Sequence, residues 1–282
     1  ILQTFDEGFI LLGYASSTDY DVSGLHGSRD DAWVVKTDSI GQIEWQRCFG
    51  TSQTDRGYQI KETPDSGFIF LAKVSGNDGD VNDLHNYDDL WVVKINRLGL
   101  IRWRKCLGGG NYDTPGSIIT MDDGGYLVSG SILSTDGDIT CTDPSHNVWI
   151  VKLDSTGNIL WDRCYGGSNS EMVIDLLKLA GNGFYIAAST ASSDGDVGNL
   201  IGQYNYWIIK CDSMGDIVWE KCFGGSQVDF VSSISPTLDY GLIISGWSTS
   251  PIAGNHGLKD AYIIKIDSLG NSTWSKMYYA TG

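Results

Sequence analysis

Apolar residues fall in short runs separated by glycine-, aspartate- and serine-rich turns, and one order of runs is written five times. Residues 147–161 show the core of the unit: an apolar run broken by one lysine, a turn closed by glycine, then a run reaching a tryptophan. The lysine recurs as Lys36, Lys94, Lys152, Lys210 and Lys265, at intervals of 58, 58, 58 and 55 residues. Gly41, Gly99, Gly157, Gly215 and Gly270 follow it, and then Trp45, Trp103, Trp161, Trp219 and Trp274. A period of this length running from end to end predicts a repeat architecture.

Each unit predicts four strands, at 57–63, 68–74, 90–95 and 100–107 in the second copy, here called A to D. B and C are nearly unbroken apolar runs, as strands covered on both faces require. D carries Arg102, Arg104 and Lys105, the charge that protects an exposed sheet edge, so D is the outer strand. C meets D through a short turn closed by glycine, whereas B meets C through about fifteen residues, above ordinary hairpin length. Because strands alternate in direction, the B-to-C and D-to-A loops share one face. The segment 171–179 also has helical spacing, but it aligns with strand A of the other copies.

Tandem four-stranded antiparallel units predict an all-β fold, a β-propeller of five blades at about 1–50, 54–108, 112–166, 170–224 and 228–282, forming one domain over 1–282. An open solenoid would need polar capping repeats, and the first and last copies are no more polar than the rest. The chain begins in mid-repeat at Ile1 without a methionine, as a processed or excised product would. The five blades either close by themselves or belong to a larger ring.

Composition narrows the partners. A net charge of −16 argues against nucleic acid, and no run is apolar enough for direct membrane insertion. Four of the six cysteines (Cys48, Cys106, Cys164, Cys222) occupy one column, replaced by Met277 in the fifth copy. They are expected to be separate buried thiols, with Cys211 also in the core and Cys141 alone in a long loop.

The repeat resembles the SBBP-type β-propeller repeat of secreted bacterial surface proteins, in the variety common among Bacteroidetes. The matching residues are Asp89-Leu90-Trp91-Val92-Val93-Lys94, Gly99, Trp103, Gly108-Gly109, Asp113, the Asp122-Asp123-Gly124-Gly125-Tyr126 turn and Asp136-Gly137-Asp138-Ile139. The resemblance covers essentially the whole chain. It implies an extracellular or cell-surface location and a binding or structural role.

Candidate chemistry lies in the loops. Asp-x-Asp pairs open four B-to-C connections: Asp19 and Asp21, Asp78 and Asp80, Asp136 and Asp138, Asp194 and Asp196. With Ser23 and Asp30, the first loop has the spacing of an EF-hand loop, so these oxygens are calcium candidates; Asx turns closing strand B are the alternative. A second acidic column, Asp55, Asp113, Glu171 and Asp229, opens strand A and would either bind a cationic ligand group or latch the glycine loop beside it. His26, His85, His146 and His256 fall one to a blade, a spacing that suits loop organisers better than a metal cluster. Each lysine of the column needs a partner, expected two residues on at Asp38, Asn96, Asp154, Asp212 and Asp267. Tyr87, Tyr112 and Tyr204, with Tyr20 and Tyr206, are the loop aromatics available to stack on a sugar.

The expectation from sequence is a noncatalytic module binding protein or glycan on its long-loop face. A propeller glycoside hydrolase or lyase, and a spacer stiffened by calcium, are the alternatives.

Overall fold

The computed structural model describes residues 1–141, 147–252 and 259–278; His146 and His256 lie outside them. Five four-stranded antiparallel sheets follow one another, each a meander in chain order. The first is β1 (Leu2–Gln3), β2 (Phe9–Ala15), β3 (Asp31–Thr37) and β4 (Ile43–Phe49). The second is β5 (Arg56–Glu62), β6 (Phe68–Val74), β7 (Asp89–Ile95) and β8 (Ile101–Leu107), and the third β9 (Asp113–Thr120), β10 (Tyr126–Ile132), β11 (Asn147–Leu153) and β12 (Ile159–Tyr165). The fourth is β13 (Glu171–Lys178), β14 (Phe184–Thr190), β15 (Asn205–Cys211) and β16 (Ile217–Phe223), and the fifth β17 (Asp229–Pro236), β18 (Leu242–Ser248), β19 (Asp260–Ile266) and β20 (Ser272–Tyr278). These are β-propeller blades. The segment with helical spacing is β13, a strand paired with β14 from Glu171 to Lys178.

Burial follows the reading of the runs. All seven residues of β7 are buried, whereas β8 beside it is half-buried, with Arg102 exposed, before its last two residues. The C-to-D turn has one form throughout. Asp154 N–H donates to Asn158 O, Gly157 N–H to Asp154 O, and Gly157 takes a left-handed φ of +89°. Asp38, Asn96, Asp154, Asp212 and Asp267 cap these turns, as when Asp154 Oδ1 accepts from Asn158 N at 2.9 Å.

For Lys36, Lys94 and Lys265 the partners are other acids. Lys94 reaches across the sheet to Asp65 in the A-to-B turn at 2.8 Å, Lys36 reaches Asp6 and Glu44, and Lys265 reaches Asp239. The A-to-B and C-to-D turns lie at the same end of the meander, and that places the acid of one turn over the strand leading to the other.

Contacts group the chain into two units, 1–120 with 124–142 and 151–162, and 121–123 with 143–150 and 163–282. The first is built on a core including Phe49, Phe68, Phe70, Trp91 and Val93. The core of the second includes Tyr185, Tyr206, Ile208, Ile244 and Tyr262.

Successive blades of one unit share specific contacts. Trp45 donates to Arg97 O at 3.0 Å and lies over Gly99; Trp103 donates to Ser155 O at 3.1 Å and lies over Gly157. At the bulge of the second blade, Gln59 Oε1 accepts from Ser117 Oγ and Ile118 N.

The cysteines depart from the expected pattern. Cys141 and Cys164 are disulfide-bonded, while Cys48, Cys106, Cys211 and Cys222 are free. Four of six being free, the bonded two pair with each other. Column members do sit on separate blades, but Cys164 bonds to the B-to-C loop of its own blade, a partner that comparing column with column does not reveal.

Candidate functional site

The acid opening strand A is deeply buried in every copy described: Asp55, Asp113 and Asp229 are fully enclosed and Glu171 nearly so. The glycine loop before each strand turns its N–H groups inward. Asp113 Oδ2 accepts from Gly109 N at 3.0 Å and Ser134 Oγ at 2.8 Å, and Oδ1 accepts from Leu133 N and Ser134 N. Asp55 is held by Thr51 N, Thr51 Oγ1 and Ser75 N, Glu171 by Gly167 N and Thr190 Oγ1, and Asp229 by Gly225 N and Ser250 Oγ. Burial pushes Asp55 up to about 6, against the hydrogen bonds from Thr51 and Ser75 and with the nearby Asp31 charge adding to it. Burial likewise raises Asp113 and Glu171.

The Asp-x-Asp loops grip the same glycine loops from the other side. Asp78 accepts from Ser52 N at 2.7 Å, Asp136 from Gly110 N at 2.6 Å and Asp194 from Ser168 N at 2.8 Å. Asp80, Asp138 and Asp196 donate their own N–H to Gly50 O, Gly108 O and Gly166 O. In the first loop Asp19 accepts from Ser17 Oγ, Ser23 Oγ pairs with Gln46 Nε2, and Asp30 takes both Nε and a terminal nitrogen of Arg56. Asp21 is exposed. Among the described residues no three His, Cys, Asp or Glu side chains converge as metal ligands would.

The arrangement sequence reasoning missed stands at the start of strand C. Asp31 and Asp89, both fully buried, each accept from a loop histidine: His26 Nδ1 lies 2.7 Å from Asp31 Oδ2, and His85 Nδ1 2.8 Å from Asp89 Oδ2. The far nitrogen of each ring faces the next blade, His26 Nε2 lying 3.3 Å from Asp80 and His85 Nε2 3.6 Å from Asp138. The signal was present in the sequence, a histidine five or four residues ahead of an acid that opens an apolar strand.

At the first of these histidines a cavity of about 440 Å³ opens, lined by Ser23, His26, Arg47, Cys48 and Asp80 among others. Burial pushes the Cys48 thiol up to about 11, with the Asp31 charge adding, so it is not a nucleophile at neutral pH. His26 can exchange a proton at Nε2, Asp31 can fix its ring, and Arg47 can receive an anion.

The loop aromatics are distributed differently from their sequence reading. Tyr87 and Tyr112 pack on each other at 4.8 Å between ring centroids, and Tyr204 stacks on Phe230 at 5.0 Å. Tyr20 is fully exposed. Tyr206 is not a loop residue: it is buried in β15 and donates to Tyr262 O.

No family model matches the chain, and no curated protein matches it by sequence. Solved structures do match in fold. A crystal structure of an ACO/RPE65 chimera aligns over 96% of this chain with a TM-score of 0.53 and 12% identity. Two substituted forms of the Synechocystis apocarotenoid oxygenase (ACO) align over the same share, with TM-scores of 0.52 and 0.53 and 13% identity. The chain spans 58% of the length of each. At this identity the likeness shows the fold alone.

It also removes a premise. The expectation of a noncatalytic binding module does not stand, because its propeller neighbours of known structure include oxygenases.

Proposed function

We propose that the chain is the propeller body of an enzyme that moves a proton on a small anionic substrate, with His26 as the proton-transfer group. One observation carries the reading: a histidine oriented by a buried carboxylate, its far nitrogen at the wall of a polar cavity that also holds an arginine. Asp31 accepts the Nδ1 proton and sets the ring, the orienting role a buried acid plays beside a catalytic histidine. Nε2 and Asp80, 3.3 Å apart, pass a proton between them and the substrate. Arg47 draws a carboxylate or similar anion to the site. The extracellular setting implied by the repeat belongs to the same reading, and the Cys141–Cys164 disulfide supports it, because such bonds persist in oxidising compartments.

The test uses activated aryl esters and aryl phosphates bearing a carboxylate, the full chain, and the variants His26→Gln and Arg47→Gln. Turnover that H26Q abolishes, with KM raised by R47Q, is the expected result. Turnover equal in wild type and H26Q overturns the reading. So does an absence of turnover joined to His26 ring resonances that do not move when acetate or phosphate is added.

A further inference from the structure

Asp31, Asp89 and Asp229 each keep one buried carboxylate oxygen, Oδ1, without any hydrogen-bond partner. For Asp89 the repeat shows what that atom is doing. Asn205 occupies the same column as Asp89 in the fourth blade, and its Nδ2 donates to Asp229 Oδ2 at 3.1 Å. Both atoms crowd the preceding glycine: a Cβ on Gly224 would stand 2.3 Å from Asp229 Oδ2 and 2.5 Å from Asn205 Nδ2. In the second blade a Cβ on Gly108 would stand 2.7 Å from Asp113 Oδ2 and 2.6 Å from Asp89 Oδ1. Asp89 Oδ1 therefore takes the place of the amide nitrogen. Two acceptor oxygens sit where the fourth blade has a donor and an acceptor.

From this we infer that Asp89 and Asp113 share one proton, and that Asp31 and Asp55 form the equivalent pair between the first and second blades. One carboxyl then donates to the other as Asn205 donates to Asp229, and the unpartnered oxygen is accounted for. Two carboxylates in contact cannot both ionise at low cost in a buried site. A cation is a poorer occupant than a proton, because Asp113 is ringed by donors, namely Gly109 N–H, Leu133 N–H, Ser134 N–H and the Ser134 hydroxyl. The raised carboxyls of Asp89 and Asp113 agree with a held proton.

Other charges face the pair. His85 lies on Asp89 Oδ2, with Asp138 beyond its ring and Lys105 near Asp138. Asp88 is neutralised by Lys73, Asp136 is bound to Gly110 N, and Asp83 accepts from Cys106 N. None of them donates to Asp89 Oδ1.

The consequence is a pair of junctions that tighten in acid and loosen as the proton leaves, beside a fourth-blade junction with an amide that does not titrate. The Asp89–Asp113 pair, on which the test is made, is independent of any activity at His26.

Melting of the full chain between about pH 5 and pH 8 tests it, with Asp89→Asn, Asn205→Asp and His85→Gln. D89N is expected to melt a few degrees above wild type at the alkaline end and to flatten the pH dependence. N205D is expected to steepen it, and N205D folded only at the acid end gives the same answer. H85Q is expected to keep most of the wild-type slope, since it retains both carboxyls. A D89N slope equal to wild type overturns the inference, as does an H85Q variant that loses the slope by itself. An infrared carbonyl band of a protonated carboxyl at neutral pH, diminished in D89N, is the direct signature; its absence from wild type overturns the shared proton. Calcium that raises the wild-type melting temperature but not that of D89N would put a cation there instead.

Discussion

A lysine inside a covered strand is tolerated because its amine is fully solvated by protein groups. Lys94 is 5% exposed and donates to both oxygens of Asp65 and to Ile95 O. Burial would raise Asp65, but the Lys94 amine and the Thr63 hydroxyl outweigh it and hold Asp65 at about 2. Gly67 belongs to the same device, because a Cβ there would meet Ile95 O at 2.4 Å and Lys94 Nζ at 2.6 Å. Asp65→Asn is expected to destabilise by about 1 kcal/mol, kept small by solvent around an acid that is more than half exposed. Urea unfolding at neutral pH measures it. The need for a lysine partner was legible from the sequence, but its identity was not. Period-two reasoning points to the residue two along the strand, and that residue is already occupied capping its own turn.

At the scale of the element, strand order and edges were readable because burial writes them directly into composition. The expected B strand at 68–74 is β6 residue for residue, and the expected outer strand is β8. What joins one blade to the next was less readable, since it couples residues a full period apart. Gly157 is fixed twice over, by its left-handed φ and by Trp103, whose ring a Cβ at Gly157 would approach to 2.8–3.1 Å. Gly157→Ala is therefore expected to cost about 1–2 kcal/mol or more, read from the shift in denaturation midpoint. The disulfide acts within one blade. Reducing Cys141–Cys164 is expected to lower stability by about 3 kcal/mol, the loop-closure value for a loop of this size, as seen by melting with and without reductant. Thiol titration of the unfolded, unreduced chain should find the four free cysteines.

Across the whole chain two sets of acids pull stability in opposite directions with pH. Asp6, Asp65 and Asp239 are held near 2 by their hydroxyl and lysine partners, so their contribution is present above the ordinary value of 3.8 and is lost as pH falls through their lowered values. Asp55, Asp89, Asp113 and Glu171 are raised by burial. Their contribution is complete below the unfolded value and is lost as pH rises through the folded one, about 6 for Asp55. Melting temperature is accordingly expected to peak between about pH 4 and pH 6 and to fall towards pH 8. Added salt should soften that fall by screening a net charge of −16. Chelator is expected to leave melting unchanged at every pH, because Asp78, Asp136 and Asp194 already accept hydrogen bonds from the glycine loops; a drop in melting temperature would restore calcium to those loops.

The contact of Trp45 with Gly99, and of Trp103 with Gly157, also bears on how such a chain can change its length. Each tryptophan meets a turn 54 residues further on, and each turn offers a carbonyl and a bare glycine. Excising one 58-residue period in frame would present Trp45 with the Gly157 turn in place of the Gly99 turn, and duplicating one would create another matched pair. Gain or loss of a whole blade by recombination at these two joints is thus compatible with the contacts they make, which makes the number of units an easy property of this architecture for evolution to alter.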